Sequence, residues 1–201
     1  MQKRHLLILL FAGLALCLFL FVPALASASS VSGTAWVDKT SDGQYEKENG
    51  LNGVQITLEN RQGAVATALT GKDGAYLFDG LSDGEYRLTV ELPSGFVPTI
   101  PGLDSALLPA QNEKSATAWF VLSGDNTLNL GATKSSIYLG FVAFVDENAN
   151  GGRMLSEETL RGVHIDIIYT QDGIDYTIAS GDTGKDGALQ IRDLTPGTYR
   201  A

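Results

Sequence analysis

Three features of this chain predict an all-β fold built as two tandem sandwiches behind an N-terminal signal peptide. Apolar and polar residues alternate with a period of two, glycine-rich turns interrupt the alternation, and a series of short motifs recurs in the same order in both halves.

The leader comes first. Lys3 and Arg4 precede an unbroken apolar run over residues 6–22, followed by Pro23 and small residues. This is the layout of a secretory signal peptide over residues 1–28, with cleavage after Ala26 or after Ala28. An uncleaved anchor is the rival reading, because an apolar core of about seventeen residues reaches the lower limit for a membrane-spanning helix. The single cysteine, Cys17, lies inside this segment behind Leu16, where a lipoprotein leader would place a small residue, so it reads as apolar filler. The exported part then has no cysteine, and no disulfide staples it. The whole chain has a formal net charge of −9, and loss of Lys3 and Arg4 makes the exported part more negative still. Such a surface is a poor partner for nucleic acid or anionic lipid.

Strands follow in order. A first is expected near 33–37. Val54, Ile56 and Leu58 then alternate with Gln55, Thr57 and Glu59. Short strands are expected at 65–70 and 75–78, before Tyr86, Leu88, Val90 and Leu92 alternate with Arg87, Thr89 and Glu91. Residues 98–114, with Pro101 and Pro109, read as a long irregular excursion, and strands resume at 116–122 and near Thr127. Beyond a short linker at 132–136, strands are expected at 137–145, at 163–167 with Val163, Ile165 and Ile167 inward, at 175–179 and at 188–191. No amphipathic helix is evident outside the leader. Trp36 and Trp119 read as core or sheet-edge aromatics, with carbohydrate stacking as the alternative.

The repeat aligns Trp36-Val37-Asp38 with Phe144-Val145-Asp146, and Leu51-Asn52-Gly53-Val54 with Leu160-Arg161-Gly162-Val163. Gly71-Lys72-Asp73-Gly74-Ala75 recurs letter for letter as Gly184-Lys185-Asp186-Gly187-Ala188, and Leu81-x-x-Gly84-x-Tyr86 recurs as Leu194-x-x-Gly197-x-Tyr199. The Lys-Asp-Gly turn provides a residue that accepts positive φ. The second pattern provides a corner whose tyrosine hydroxyl bonds backbone. Two domains are expected, over 31–134 and 136–201. The second is expected to be truncated, because only Arg200 and Ala201 follow Tyr199 whereas further strands follow Tyr86.

Two loops carry the distinctive chemistry. In the segment 146–157, Asp146, Asn148, Asn150 and Glu157 stand at positions one, three, five and twelve, Gly151 at six, and the carbonyl of Gly152 at seven. That is the spacing of a calcium loop, because oxygen side chains at alternate positions wrap a cation while glycine allows the sharp turn. Two charged ligands imply weak affinity, about 0.1–1 mM. An ordinary Asn-Gly hairpin is the competing reading. The earlier loop repeats the plan with Asp38, Thr40, Asp42, Glu46 and Glu48, one residue shorter, and its acidic side chains would repel one another without a cation. The expected cofactor is structural Ca2+.

Catalysis is not expected. His164 is the one histidine outside the leader and lies on an outward strand position, so no nucleophile–histidine pair can be assembled. Zinc lacks ligands, and 71–74 is too short for a phosphate loop.

Taken together, these residues resemble the SdrD B-like repeats of bacterial serine-aspartate repeat surface proteins, within the Cna B-like and prealbumin-like sandwiches. The resemblance rests on Trp36, Asp38, Asp42-Gly43, Glu48-Asn49-Gly50-Leu51, Gly53-Val54, the stretches 73–78 and 81–86, and the seam-like Asn129-Leu130-Gly131 and Tyr138-Leu139-Gly140. Met154 departs from it, standing where an acidic residue is usual. The resemblance implies tandem Greek-key sandwiches in a secreted, cell-surface or cell-wall-associated protein, with calcium-loaded repeats acting as a rigid, monomeric stalk. One alternative is an adhesin module that binds a host extracellular matrix protein or glycan through 98–114. Another is the carrier region of a secreted enzyme. An intramolecular isopeptide bond, known in the wider Cna B-like group, would fall to Lys39 and Asn129, against which stands the polar loop around Lys39.

Overall fold

The computed structural model describes residues 28–47, 49–101, 103–134 and 137–201. The leader up to position 27, Glu48, Gly102, Ser135 and Ser136 lie outside the described residues. Among those described there is no helix, and none long and apolar enough to cross a membrane. The strands in chain order are β1 (Ser29–Val37), β2 (Gln55–Asn60), β3 (Gly63–Leu69), β4 (Ala75–Leu81), β5 (Gly84–Glu91), β6 (Val97–Pro98), β7 (Lys114–Ala116), β8 (Phe120–Leu122), β9 (Asn126–Thr127), β10 (Leu130–Thr133), β11 (Ile137–Val142), β12 (His164–Gln171), β13 (Ile174–Asp182) and β14 (Ala188–Leu194).

In the first half, two sheets face each other, one ordered β4-β1-β10-β6 with β9 beside β1, the other β3-β2-β5-β7 with β8 also on β5. The two-residue alternation drives this, because each strand turns one apolar row inward: Val54, Ile56, Leu58 and Leu88 are fully buried, and Tyr76, Phe78, Tyr86 and Val90 nearly so. Burial of each aliphatic contributes about 1.5–3 kcal/mol. Trp36 is fully buried, with its ring 5.4 Å from that of Tyr45 and its edge against Gly131, where an added Cβ would lie 2.7 Å from the indole.

β1 and β10 pair in parallel, Ala35 opposite Leu130 and Val37 opposite Ala132. The first and last strands of the half therefore run the same way, and the chain enters at one end of the sandwich and leaves at the other. The linker expected at 132–136 thus begins inside a strand, with Ala132 and Thr133 buried. The strand expected over 116–122 is broken. Leu88 donates its N–H to the Thr117 hydroxyl at 3.0 Å, so a side chain stands where a ladder carbonyl would be.

The second half repeats the opening of the first. β11 pairs with β14 as β1 pairs with β4, and β12 with β13 as β2 with β3, around a smaller core of Ile167, Ala179, Ile191 and Leu194. Arg200 bridges Ile168 at the position where β5 begins beside β2. Tyr138, Val142, Leu160 and Ile174 remain exposed.

The shared motifs close the same bonds twice. Tyr86 donates its hydroxyl to Ser82 O (3.0 Å) and Tyr199 to Thr195 O (2.6 Å). Burial pushes the Tyr199 phenol up to about 12, so it remains a donor. In each Lys-Asp-Gly turn the glycine adopts positive φ, 77° at Gly74 and 70° at Gly187, and its carbonyl accepts from the adjoining strand at Ala35 N (2.8 Å) or Ala143 N (2.9 Å). A Cβ at either site would meet the carbonyl oxygen of that same strand residue.

Candidate metal centre

Both candidate loops sit at the end of the opening strand of their half, and in both the leading aspartate turns back over its own loop. Asp146 Oδ1 accepts from Asn150 N (3.1 Å) and Oδ2 from Gly151 N (2.7 Å). Ala149, at φ 55°, and Gly151, at φ 76°, make the bend. Asn148 Oδ1 shares the Asn150 N–H (3.0 Å), and Asn150 Oδ1 accepts from Gly152 N (2.7 Å). Glu157 is buried. Its Oε1 accepts from Asn148 Nδ2 (3.1 Å) and its Oε2 from Met154 N (2.7 Å). The side chains at positions one and three thus share the backbone N–H of position five, and position three bonds position twelve, while the Asn150 side chain turns to Gly152 N. Among the described residues, no three His, Cys, Asp or Glu side chains gather as a metal cluster. Any cation at this loop would therefore depend on the Asn amides and the Gly152 carbonyl as well as on Asp146 and Glu157.

The first loop holds its aspartate differently. Asp38 is 1% exposed. Oδ1 accepts from Thr40 N, Thr40 Oγ1 and Ser41 N, and Oδ2 from Gly43 N (2.8 Å) and Thr99 Oγ1 (2.5 Å). Five donors occupy the lone pairs of one carboxylate. Burial alone would raise its pKa, but the bonds from Thr99, Gly43, Ser41 and Thr40 outweigh that and hold the carboxyl below its ordinary value of 3.8. Asp42 is exposed and accepts from Gln44 N (2.9 Å) in a local turn. Glu46 is exposed, and Glu48 lies outside the described residues. The loop is also tied to the 99–104 segment, because Asp104 N donates to Gly43 O (3.2 Å) and Tyr45 N to Asp104 Oδ2 (2.9 Å).

Sequence reasoning missed Thr99 and Asp104, which lie in a stretch with no periodicity. It also missed Thr70 and Thr183, although each directly precedes the repeated Gly-Lys-Asp-Gly-Ala. The Thr70 hydroxyl accepts from Val54 N (2.9 Å) and donates to Leu51 O (2.6 Å); Thr183 does the same with Val163 N (3.0 Å) and Leu160 O (2.6 Å).

The other singled-out residues resolve into packing and surface contacts. Trp119 is half-buried, with the Arg61 guanidinium 3.9 Å from its ring centroid and Arg87 at 4.9 Å, each arginine in turn paired with Glu85 or Glu59. A ring face covered by guanidinium is not presented for a sugar. Lys39 is exposed, and Asn129 directs its amide oxygen to Thr34 N (3.0 Å). His164 is exposed between Asp182 (2.7 Å) and Asp166 (3.4 Å).

Comparison with known proteins places these loops among relatives. The profile of the SdrD B-like domain matches residues 29–132. Serine-aspartate repeat-containing protein D of Staphylococcus aureus (strain Newman) is 34% identical over 167 residues, covering 82% of this chain and 12% of that protein. Serine-aspartate repeat-containing protein F of Staphylococcus epidermidis is 30% identical over 172 residues, covering 85% of this chain and 10% of its own length. The chain thus spans only about a tenth of these relatives. Among solved structures, a streptococcal ancillary pilin overlays 86% of this chain and 52% of its own with a TM-score of 0.36 and 18% identity.

Proposed function

The chain belongs to the SdrD B-like domain family, and we propose that it is a non-catalytic spacer of an extracellular, cell-surface protein, with calcium bracing its second loop. The observation that carries the spacer reading is the parallel pairing of β1 with β10. A unit that takes the chain in at one end and releases it at the other lengthens a stalk each time it is repeated. The internal repeat, and the staphylococcal relatives whose names call them repeat-containing, are consistent with that use.

The calcium reading is supported by the convergence of Asp146, Asn148, Asn150 and Glu157, with the Gly152 carbonyl as the further oxygen. Calcium there would supply the positive charge that two neighbouring carboxylates lack, replacing the Asn148–Glu157 bond as the tie across the loop. The first loop we assign to protein donors, because Asp38 already accepts five hydrogen bonds. The weak affinity expected of such a site suits extracellular calcium.

The test is the thermal stability of the exported chain in chelator and in about 10 mM calcium. Binding at about 0.1–1 mM predicts roughly 1.4–2.7 kcal/mol of stabilisation, lost in Glu157→Gln and retained in Asp42→Asn. An unchanged melting temperature would remove calcium from the proposal. A scattering profile showing a compact rather than an elongated particle would remove the stalk.

A further inference from the structure

Residues 98–114 are expected to be an irregular excursion, with ligand binding as an alternative, and within them residues 110–112 are engaged by the chain itself. Gln111 forms an isolated antiparallel bridge with Leu194 at the end of β14. Asn112 N donates to Asp193 O (2.9 Å), Thr195 N to Ala110 O (3.2 Å), and Ala110 N to the Thr195 hydroxyl (3.2 Å). Gln111 adds a side-chain bond from Nε2 to Arg192 O (3.2 Å). A short strand-like segment of the first half is thus laid along the corner that opens the Leu-x-x-Gly-x-Tyr motif of the second.

The internal repeat provides the control. The same corner in the first half is Gly80-Leu81-Ser82, and there Ser82 is exposed, whereas Thr195 is fully buried. Gly80 takes φ 67° at no steric cost. At its counterpart a side chain is present, and Asp193 nevertheless takes φ 56°. Its partner across the contact, Asn112, also takes positive φ, 67°. Two non-glycine residues in the left-handed region, bonded to each other, mark a contact whose geometry is imposed from both sides.

We propose that residues 110–112 form an inter-repeat clamp whose partner is the Leu-Thr corner of the following repeat, fixing the angle between the two halves without a cation. The Thr195 hydroxyl is the feature the clamp reads, since it gives Ala110 N its acceptor. The proposal rests on the spacer reading, which it deepens by locating where the stalk is stiffened.

The experiment uses the exported chain in excess chelator, so that any calcium brace is absent. Backbone relaxation is measured for both halves, with amide exchange at Ala110 and Asn112. The unmodified chain is expected to tumble as one body. Asn112→Val opposes positive φ and Thr195→Val removes the hydroxyl. Each should speed exchange at these amides by about tenfold, the effect of losing one or two hydrogen bonds, and separate the correlation times of the halves. Slow exchange at Leu58 and Ile167 establishes that both cores remain folded in the variants. Asn112→Gly, which favours the observed φ, should behave like the unmodified chain. Independent tumbling of the unmodified chain, or no change in either valine variant, overturns the clamp. Failure of calcium to stabilise the chain removes the metal brace and leaves this result standing, so the two proposals fail separately.

Discussion

The loops that begin at Asp38 and Asp146 occupy equivalent places, each at the end of its opening strand, and they solve the same problem by different means. Both must hold a carboxylate over a tight glycine turn. In the first half, Thr99 reaches across from a distant segment, and with four local donors it seals Asp38 from solvent. In the second half Asp146 is half-exposed with two backbone donors of its own loop, while Glu157 approaches from the other end. One motif is thus a hydrogen-bonded plug around Asp38 and a more open ring of oxygens around Asp146.

The sharpest way to break the comparison is to remove each aspartate. Asp38→Ala leaves several buried donors without an acceptor and should cost about 3–5 kcal/mol in denaturant unfolding of the exported chain. Asp146→Ala in chelator strands only exposed amides, which water can satisfy, and should cost about 1 kcal/mol. Equal losses would show that the two loops are held alike.

The Thr70 and Thr183 tethers test the opposite side of the comparison, what the halves share. Each hydroxyl is buried, accepts a backbone N–H and donates to a carbonyl. Thr70→Val and Thr183→Val should therefore each destabilise their own half by about 1–3 kcal/mol, read from amide exchange at Leu58 and Ile167. A loss confined to one half would mean that the repeated turn is not mechanically equivalent in the two.

What was legible in the sequence was local. Ile56 and Leu58 announce their strand by alternation, and the Lys-Asp-Gly turns and tyrosine corners announce theirs by residue types that the backbone demands. The spacing of the second loop is local too: Asn148 bonds Glu157, and Asp146 bonds the backbone of Asn150, because a loop of twelve residues closes on itself. The long-range choices were hidden. Nothing near Leu130 says that it lies parallel to Ala35, and nothing near Thr99 says that it bonds a residue 61 positions earlier. The clamp at 110–112 has no period to betray it. Thr70 and Thr183 were visible in principle, as identical letters in front of an identical turn, and the signal lay in extending the repeat by one residue.

The smallest expected effect is a difference in pH response between the halves. In the first, the hydrogen bonds that hold the Asp38 carboxyl below 3.8 contribute stability that is present above that value and lost as pH falls through the lower, folded pKa. In the second, the hydrogen bond with Asp182 raises the His164 pKa above 6.5, against an opposing effect of desolvation and with further help from the charges of Asp166 and Asp182. A raised histidine pKa works in the other direction. Its contribution is fully present below 6.5 and is lost as pH rises through the folded value, when the imidazolium between Asp166 and Asp182 gives up its proton. All three side chains are exposed, so solvent screens the effect and it should be confined to β12 and β13, which the pair Asp182–His164 joins. Amide exchange in the β12–β13 hairpin, corrected for its intrinsic pH dependence, should therefore show protection declining from pH 6 to pH 8, while β2 and β5 show no such decline. His164→Gln should abolish the trend. A decline that persists in the variant, or that appears equally in β2, would assign the pH dependence to something other than this histidine.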